Sequence, residues 1–348
     1  MPAQGAPSDP ARRGRVTIAD VARRAGVTTG AVSLAMNGKP GVSDATRERI
    51  LRIADELNWR PNHAAKTLRG KRPQSIGLVL ARPEEVVGEE AFFAKFLTGV
   101  QSVLSQQGYS LHLQMASDLA AESEIHTEWI SDGRVDGILV LDPRVDDPRV
   151  THLERLGYPT IVVGGDADSA ALSSVRADDG KLLRTIVDHL VGLGHERIGY
   201  ITGEQTFTHI RRRIDAFADD TIERGVWGTV LAGDFVPQQA KAATRKLLSS
   251  PRRPTALVYD SEVMAIAGMA TIAELGLRVP TDVSVVSWED SATCQVLHPT
   301  ITALNRDAVT LGKLAATEML QLLAHEPIEH PAVDAVVIQR ESTAPPPA

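Results

Sequence analysis

The sequence contains a single cysteine, Cys294, among its 348 residues. One cysteine can form neither an intramolecular disulfide nor a cysteine-based zinc site, and this scarcity is typical of a reducing compartment. No apolar run approaches the roughly 18 residues of a membrane-spanning helix, and residues 1–15 lack the apolar core of a secretion signal. We therefore expect a cytoplasmic protein with no membrane partner.

The motifs of common enzyme classes are also missing. The sequence contains no GxSxG, no P-loop and no HExxH, and its histidines show no spacing suited to a metal. We therefore expect no catalytic residues, no metal site and no cofactor. The length leaves room for two or three domains.

Positive charge is concentrated at the N-terminal end. Residues 1–72 contain 14 Lys and Arg and 6 Asp and Glu, a net charge of +8, whereas residues 73–348 contain 23 and 38, a net charge of −15. A basic segment on an acidic body favours binding a polyanion at one end only. A solvated basic tail would give the same balance if the segment carried no structural motif.

Residues 16–61 show the pattern of three short helices. Three apolar faces recur at helical spacing: Ile18, Val21, Ala22 and Ala25; then Ala31, Val32, Ala35 and Met36; then Ile50, Ile53, Ala54 and Leu57. Gly26 is typical of a helix C-terminus, and Thr28 and Ser43 can cap the next two helices. The glycine turn between two short helices predicts a helix-turn-helix domain, although any small helical bundle could show this spacing.

Residues 62–72 predict a basic helix of marginal stability. Asn62 can cap it and Gly70 can end it, but a helix of about eight residues is too short to be stable alone. We expect it to fold against DNA phosphates or against a second copy of itself.

Downstream of residue 73, short β-branched runs alternate with helical patterns. The predicted strands are 75–80, 110–114, 137–141, 160–163, 197–202, 230–233, 256–259 and 283–287. The predicted helices include 93–107, 179–192, 210–223, 237–248 and 262–275. This alternation predicts an α/β fold with two parallel sheets, and a ligand between them at the carboxyl ends of the strands.

The motifs of the N-terminal segment resemble the LacI/GalR family of bacterial transcription regulators. They are TIADVARRAGV at 17–27, AVS-x-x-x-NG at 31–38, VSDATRERI at 42–50 and L-N-W-R-P-N-x-x-A-x-x-L-R-G at 57–70. Stretches such as VDGILVL at 135–141, HLVGLGHERIGYITG at 189–203 and HPTITALNRD at 298–307 extend the resemblance over residues 16–343.

The resemblance implies a domain plan. It consists of a disordered tail (1–15), a helix-turn-helix domain (16–61), a hinge helix and linker (62–72) and an effector-binding and dimerisation domain (73–348) like periplasmic sugar-binding proteins. The N-lobe of that domain is expected at about 73–177 and 306–330, and the C-lobe at about 178–305 and 331–348. The chain would cross between the lobes near Ala177, Arg306 and His330.

The resemblance also implies DNA contacts residue by residue. Thr29, Gly30 and Leu34 would address base edges, and Leu68 would wedge into the minor groove beside Leu68 of a second subunit. Asn62 belongs to the hinge, and seven other residues would hold the DNA backbone: Thr17, Thr28, Ser33, Asn37, Ser43, Thr46 and Trp59. The expected partners are pseudo-palindromic operator DNA and a second copy of the chain in a homodimer. Outside this context, Leu68 would be an ordinary linker residue.

Six residues are expected to bind the effector: Phe92, Phe93, Arg213, Ser261, Trp288 and Glu289. The two phenylalanines, Arg213 and Glu289 match the family's pocket, whereas Ser261 departs from the family's pattern and Trp288 is the neighbour of Glu289. Arg213 would clamp ligand oxygens, Glu289 would accept hydrogen bonds from ligand hydroxyls, and Trp288 would offer a stacking face. Other interpretations remain open. Three consecutive arginines ending at Arg213 are typical of a solvated face, and Trp288 and one of the two phenylalanines could belong to the core. Asp178 and Asp179 follow a strand near the cleft and could simply cap a helix.

We therefore expect a DNA-binding repressor that an effector controls by changing the angle between the lobes. A sugar or sugar derivative is the expected effector. A purine or another small metabolite remains an alternative, because Ser261 and Glu262 replace the family's usual Asn-Asp pair. A solute-binding protein would share the fold of the body but would have an export signal and no basic head. An enzyme of this fold would need a nucleophile, base or cofactor loop.

Overall fold

The computed structural model describes residues 16–36, 38–57, 59, 73–165, 172–328 and 335–347. They form two compact units, which divide between Pro73 and Gln74. The predicted tail and the hinge lie outside the described residues, and so do the predicted DNA contacts Asn37, Asn62 and Leu68.

The first unit is a three-helix domain. It consists of α1 (Ile18–Ala25), α2 (Thr29–Met36) and α3 (Asp44–Glu56). The core contains most of the predicted apolar positions: Val21, Ala22, Ala25, Val32, Ala35, Ile50, Ile53 and Ala54. Gly26 ends α1 in the left-handed region at φ 64°. The predicted caps are confirmed, because Thr28 Oγ1 accepts from the Ala31 N–H at 3.2 Å and Ser43 Oγ from the Thr46 N–H at 3.4 Å.

The second unit contains two sheets. The N-lobe sheet has the order β2-β1-β3-β4-β5 and is parallel throughout. Its strands and the helices between them are β1 (Ser75–Leu80), α4 (Glu84–Glu89), α5 (Ala91–Gln106), β2 (Ser110–Met115), α6 (Leu119–Ser131), β3 (Gly137–Leu141), α7 (Pro148–Leu156), β4 (Thr160–Val163) and β5 (Leu172–Val175).

The C-lobe sheet has the order β11-β10-β9-β8-β6-β7, with β11 antiparallel to β10. The remaining elements are α8 (Asp179–Gly192), β6 (Arg197–Thr202), α9 (Thr208–Glu223), β7 (Trp227–Ala232), α10 (Pro237–Leu248), β8 (Ala256–Tyr259), α11 (Glu262–Glu274), β9 (Ser284–Ser287), α12 (Ala292–Val296), β10 (Thr302–Arg306), α13 (Ala308–Ala324) and β11 (Ala335–Ile338). No helix among the described residues is long and apolar enough to cross a membrane.

The sequence patterns missed or misplaced strands that carry mixed polarity. β5 contains two serines and β10 ends in Asn305 and Arg306, so neither shows a continuous β-branched run. The edge strand β7 begins at Trp227, three residues before the predicted start, because its half-buried residues lack the strong apolar signal of a central strand. The central strands β3, β4, β6 and β8 have the predicted bounds.

The chain crosses between the lobes in short connections. β5 closes the N-lobe sheet at Val175, and α8, from Asp179, packs on α9 in the C-lobe. After β10 ends at Arg306, α13 returns to pack on α5 and on the N-lobe strands.

Helices α5 and α13 pack with their backbones in close contact. A Cβ atom built on Gly99 of α5 would lie 2.1 Å from the Val309 carbonyl oxygen, and one built on Gly312 of α13 would lie 2.2 Å from the Phe96 carbonyl oxygen. The two helices can therefore approach this closely only because both crossing positions lack a side chain. The second N-lobe segment is fixed to the first at this point.

Candidate DNA interface and effector cavity

The exposed surface of the first unit includes the N-terminal end of α2. Thr28, Thr29 and Gly30 are exposed there, and Ser33 and Leu34 are half-buried one turn later. Leu34 packs against the following turn, since its Cδ1 would lie 3.2 Å from a Cβ atom built on Gly41. This face offers threonine hydroxyls and a small apolar surface, which limits hydrogen bonding to base edges.

Most of the hydroxyls expected to hold the DNA backbone lie at helix N-termini; Ser33, in the middle of α2, is the exception. Thr17 donates its N–H and its hydroxyl to Asp20 Oδ2, at 2.9 and 2.7 Å. Ser43 Oγ and Thr46 Oγ1 lie 2.9 Å apart at the start of α3. Helix N-termini present backbone N–H groups that suit phosphate oxygens. Trp59 differs from these residues because it is 9% exposed and packs in the core of the three helices, where it stabilises the domain.

A cavity opens between the two lobes of the second unit, where strands of both sheets end. Counted out to its open mouth, it encloses about 680 Å³ of space not occupied by atoms. Its polar lining consists of Arg82, Glu90, Asp142, Arg176, Asp179, His209, Arg213, Asp260, Ser261, Glu262, Glu289 and Arg306. Phe92, Phe93 and Phe235 add aromatic surface. Five of the six expected effector residues line the cavity, and Trp288 is the exception.

Arg213 lies at the centre of a buried ion network. It is 2% exposed, and its Nε and Nη1 donate to Asp179 Oδ1 and Asp260 Oδ1, each at 3.0 Å. Burial opposes its charge, but the two carboxylates outweigh burial and raise the pKa of Arg213 above its ordinary value. A solvated face describes the neighbouring Arg211, which is exposed, and is wrong for Arg213.

The expected stacking role of Trp288 is also wrong. The side chain is fully buried, and its ring lies 3.8 Å from the guanidinium carbon of Arg213. The indole follows β9 directly and packs on the guanidinium group of Arg213. Trp288 therefore positions the arginine by a cation–π contact and has no exposed face for a ligand.

Glu289 connects the lobes. It is 2% exposed, its Oε1 lies 3.1 Å from Lys95 Nζ, and its Oε2 accepts from Arg306 Nε at 3.1 Å. Lys95 belongs to α5 of the N-lobe and also donates to the Asp290 carbonyl oxygen. Each carboxylate oxygen of Glu289 thus contacts one cation of the protein. Glu289 also lines the cavity, and its expected role as an acceptor for ligand hydroxyls stays a prediction.

Asp178 caps a helix, whereas Asp179 lines the cavity, so each residue has one of the two roles considered for the pair. Asp178 Oδ1 accepts from the Lys181 N–H at 3.0 Å and caps α8. Asp179 is buried and faces Arg213 and Arg212. Among the described residues, no group of His, Cys, Asp and Glu is arranged to hold a metal ion.

Arg82, Glu90 and Glu262 also line the cavity but were not among the predicted site residues, although Glu262 was noted beside Ser261. The guanidinium carbon of Arg82 lies 4.7 Å from the ring centroid of Phe207 and 4.8 Å from that of Phe235. Arg82 and Glu262 come two and three residues after the ends of predicted strands. Because ligands bind at the carboxyl ends of strands in such folds, these positions could have been predicted from the sequence. Glu90 immediately precedes α5 and follows no predicted strand, so no sequence pattern indicated that it lines the cavity.

Burial shifts the pKa values of titratable side chains that line this cavity. It raises the pKa of Glu90 to about 8, an effect that Arg82 opposes and Glu262 reinforces. It also raises the pKa of Glu262, whose Oε1 accepts from the Ala91 N–H at 2.8 Å across the lobes. His209 has a pKa well below its usual value because of burial and the nearby arginines, so its ring is neutral.

Comparisons with known proteins agree with both units. A sequence profile described as bacterial regulatory proteins of the lacI family matches residues 17–62, and one described as a periplasmic binding protein-like domain matches residues 187–343. The chain is 30% identical over 318 residues to the HTH-type transcriptional repressor PurR of Haemophilus influenzae (strain PittEE), an alignment that covers 89% of this chain and 92% of the relative.

Solved structures show the same similarity. The Lac repressor dimer bound to operator and the anti-inducer ONPF is 25% identical with a TM-score of 0.85, covering 95% of this chain and 100% of that chain. The complex of the transcriptional regulator CelR with cellobiose is 28% identical with a TM-score of 0.72, covering 94% of this chain and 100% of that chain.

Proposed function

The chain belongs to the LacI family of bacterial transcriptional regulators, and on that premise we propose that it is a homodimeric repressor controlled by a sugar. The sugar binds in the cavity between the lobes and changes the affinity for a pseudo-palindromic operator. The observation that carries the effector part is the cavity between the lobes, which is lined by aromatic rings, arginines and carboxyl groups.

The lining of the cavity supports a sugar. Carboxyl groups and guanidinium groups can together satisfy hydroxyls that both donate and accept, and aromatic rings pack against the apolar faces of a sugar ring. The similar regulator CelR forms a complex with cellobiose, which supports a sugar as the effector here.

Contacts that join the lobes support the proposed control of DNA binding. The Lys95–Glu289 ion pair and the Ala91–Glu262 hydrogen bond both cross between them beside the cavity. An effector that binds one arrangement of the lobes more tightly than another shifts the population toward it. Coupling energies of about 1–3 kcal/mol are typical of such linkage.

The DNA part is tested by selecting duplexes from a random library on the purified full-length protein. We expect two inverted half-sites, as a twofold-symmetric dimer requires, and a change in affinity for the selected duplex when a sugar binds. Selected duplexes without inverted symmetry would contradict the homodimer. If a purine changed DNA affinity and no sugar did, the sugar part of the proposal would be wrong.

The variant Thr29→Ala tests the reading face. Thr29 is exposed at the start of α2, so loss of its hydroxyl should weaken binding to the selected duplex by about tenfold. Binding to a scrambled duplex of equal length should stay the same, because phosphate contacts dominate there. Equal loss on both duplexes would remove Thr29 from base recognition. Measuring both duplexes in one competition assay supplies the internal control.

A further inference from the structure

A short antiparallel contact joins the lobes where β3 and β6 end. It links the loop before α7 (residues 142–147) in the N-lobe to the turn into α9 (residues 204–208) in the C-lobe, and we call these two segments the latch. Two backbone hydrogen bonds connect them: Val145 N–H to the Thr206 carbonyl oxygen at 3.2 Å, and Thr208 N–H to the Pro143 carbonyl oxygen at 2.9 Å. The first N–H of a helix has no acceptor in its own helix, so the N-lobe satisfies the start of α9.

Side chains reinforce this backbone contact. Arg144 Nη1 lies 2.8 Å from Glu204 Oε1 and donates to Thr206 Oγ1 at 3.1 Å. Phe207 is 2% exposed, and its ring centroid lies 5.3 Å from the guanidinium carbon of Arg144 and 4.7 Å from that of Arg82. An aromatic side chain of the C-lobe is thus buried against two guanidinium groups of the N-lobe, an arrangement that cation–π attraction stabilises.

A buried ion network inside the N-lobe shapes the loop of the latch. Arg149 is 3% exposed, and it donates from Nε to Asp147 Oδ1 at 3.0 Å, from Nη2 to the Asp142 carbonyl oxygen at 3.0 Å and from Nη1 to Glu122 at 2.9 Å. Asp147 Oδ2 also accepts from the Arg144 N–H at 2.9 Å. The loop therefore has its shape fixed from within the N-lobe, independently of the C-lobe that it contacts.

The backbone of this loop is held in a disfavoured conformation at two places. Asp142 and Asp146 have φ angles of 51° and 53°, in the left-handed region that side chains with a Cβ atom rarely adopt. Such conformations persist where the surroundings fix them, and they are common in segments that switch or clamp. The network around Arg149 supplies the fixation at Asp142.

The latch and the chain crossings constrain the lobes differently. Arg176 and Arg306, at two crossings, line the cavity together with Asp142 of the latch. Covalent crossings allow two lobes to rotate as rigid bodies about a few residues. The hydrogen bonds of the latch exist only at the angle that brings both segments together. Contacts made in one arrangement alone stabilise that arrangement and raise its population.

We propose that the latch holds the lobes in one arrangement before any ligand binds, and that its strength sets the DNA affinity of the ligand-free protein. Arg144 and Phe207 make the contacts between the lobes, and Arg149 is a positioning residue that shapes the loop. The inference rests on the proposed function in one respect, because it needs the arrangement of the lobes to control DNA binding. It does not depend on which ligand the cavity takes.

The test measures latch opening and DNA affinity on the full-length protein without ligand. Amide hydrogen exchange, followed by mass spectrometry on peptides that contain Val145 or Thr208, reports opening because a hydrogen-bonded amide exchanges when its bond breaks. Arg144→Glu places a second carboxylate opposite Glu204. We expect exchange in both peptides to accelerate, and the Kd for the selected duplex to change, by at least about fivefold, the lower end of typical coupling between sites.

Three further variants make the result specific to the latch. Arg144→Glu combined with Glu204→Arg reverses the pair and should restore slow exchange and most of the original DNA affinity. Phe207→Leu removes the aromatic ring and should change DNA affinity in the same direction as Arg144→Glu. Arg155→Glu reverses an exposed charge on α7 of the same lobe and should change neither measurement. Thermal midpoints verify that each variant folds.

The outcomes separate this inference from the proposed function. Unchanged exchange in Arg144→Glu, or faster exchange with unchanged DNA affinity, would overturn the latch, and so would a reversed pair that restores neither. If the latch fails in this way and a sugar still changes the DNA affinity of the unsubstituted protein, the sugar-controlled repressor stands. If the latch variants shift DNA affinity as expected and no sugar does, the latch stands and the sugar part of the proposed function is wrong.

Discussion

At the scale of single residues, the cavity separates groups that stabilise the protein from groups that remain available to a ligand. Arg213 matches the family's effector arginine, yet its Nε and Nη1 are engaged by Asp179 and Asp260. Asp260 also accepts from the Tyr200 hydroxyl and the Gly203 N–H, both at 2.7 Å. Removing the arginine would leave this buried network with uncompensated negative charge.

We expect Arg213→Ala to lower the free energy of unfolding by about 3–5 kcal/mol, because breaking a buried ion pair leaves its partner unpaired. The matched control is Arg211→Ala, which changes an exposed arginine two residues earlier and should stay within about 0.5 kcal/mol. Urea unfolding followed by tryptophan fluorescence measures both. Equal effects of the two variants would show that the network contributes nothing to stability.

Local patterns predicted residues whose roles depend on near neighbours. The caps Thr28 and Ser43 and the apolar faces of the first unit follow from spacings of three and four residues. The Lys95–Glu289 pair joins residues 194 positions apart, and no local spacing can show it. The family resemblance found Glu289 but could not show that each of its carboxylate oxygens contacts a cation of the protein.

At the scale of elements, the contact between α5 and α13 holds the two segments of the N-lobe together. Gly99 and Gly312 lie where the helix backbones cross, and each would place a Cβ within 2.2 Å of a carbonyl oxygen. The central strands were predictable because they are continuous apolar runs, whereas β5, β10 and β11 depend on neighbours for their place in a sheet. The glycine pair depends on the same tertiary context.

We expect Gly99→Ala and Gly312→Ala each to destabilise the second unit by about 1–3 kcal/mol, because the helices must separate to admit a methyl group. Gly192→Ala is the control. It also lies in a helix, but its Cβ would meet no atom within 4 Å, so alanine should stabilise by up to about 1 kcal/mol. Thermal unfolding of the three variants tests this, and a loss at Gly192 equal to that at Gly99 would point to a general intolerance of alanine.

At the scale of the whole molecule, buried titratable groups make stability depend on pH in opposite directions. Burial lowers the pKa of His195 to about 4 from 6.5, so its contribution to stability rises with pH across that window. Glu90 has a raised pKa of about 8 against 4.5 in the unfolded chain. The folded state therefore holds the extra proton between these values, and stability is lost as the pH rises through them.

We expect Glu90→Gln to remove this loss. The free energy of unfolding of the variant minus that of the unsubstituted protein should increase between pH 4.5 and about 8. The slope should be up to about 1.4 kcal/mol per pH unit. Glu85→Gln, at an exposed position on α4, should show no such trend. Chemical unfolding at a series of pH values is the measurement, and a flat difference for Glu90→Gln would mean that its carboxyl is not protonated in the folded protein.

The exposed start of α2 has a consequence for the genome that carries this regulator. Thr29 and Gly30 offer a single side-chain hydroxyl between them, whereas a good bidentate contact to the correct base discriminates by about 1–3 kcal/mol. A DNA-binding protein with few such contacts loses little binding free energy when one base of its site changes. Its binding sites can therefore differ in sequence and still be occupied. We expect its target promoters to form a graded series of affinities, in which the level of the protein sets how many are silenced.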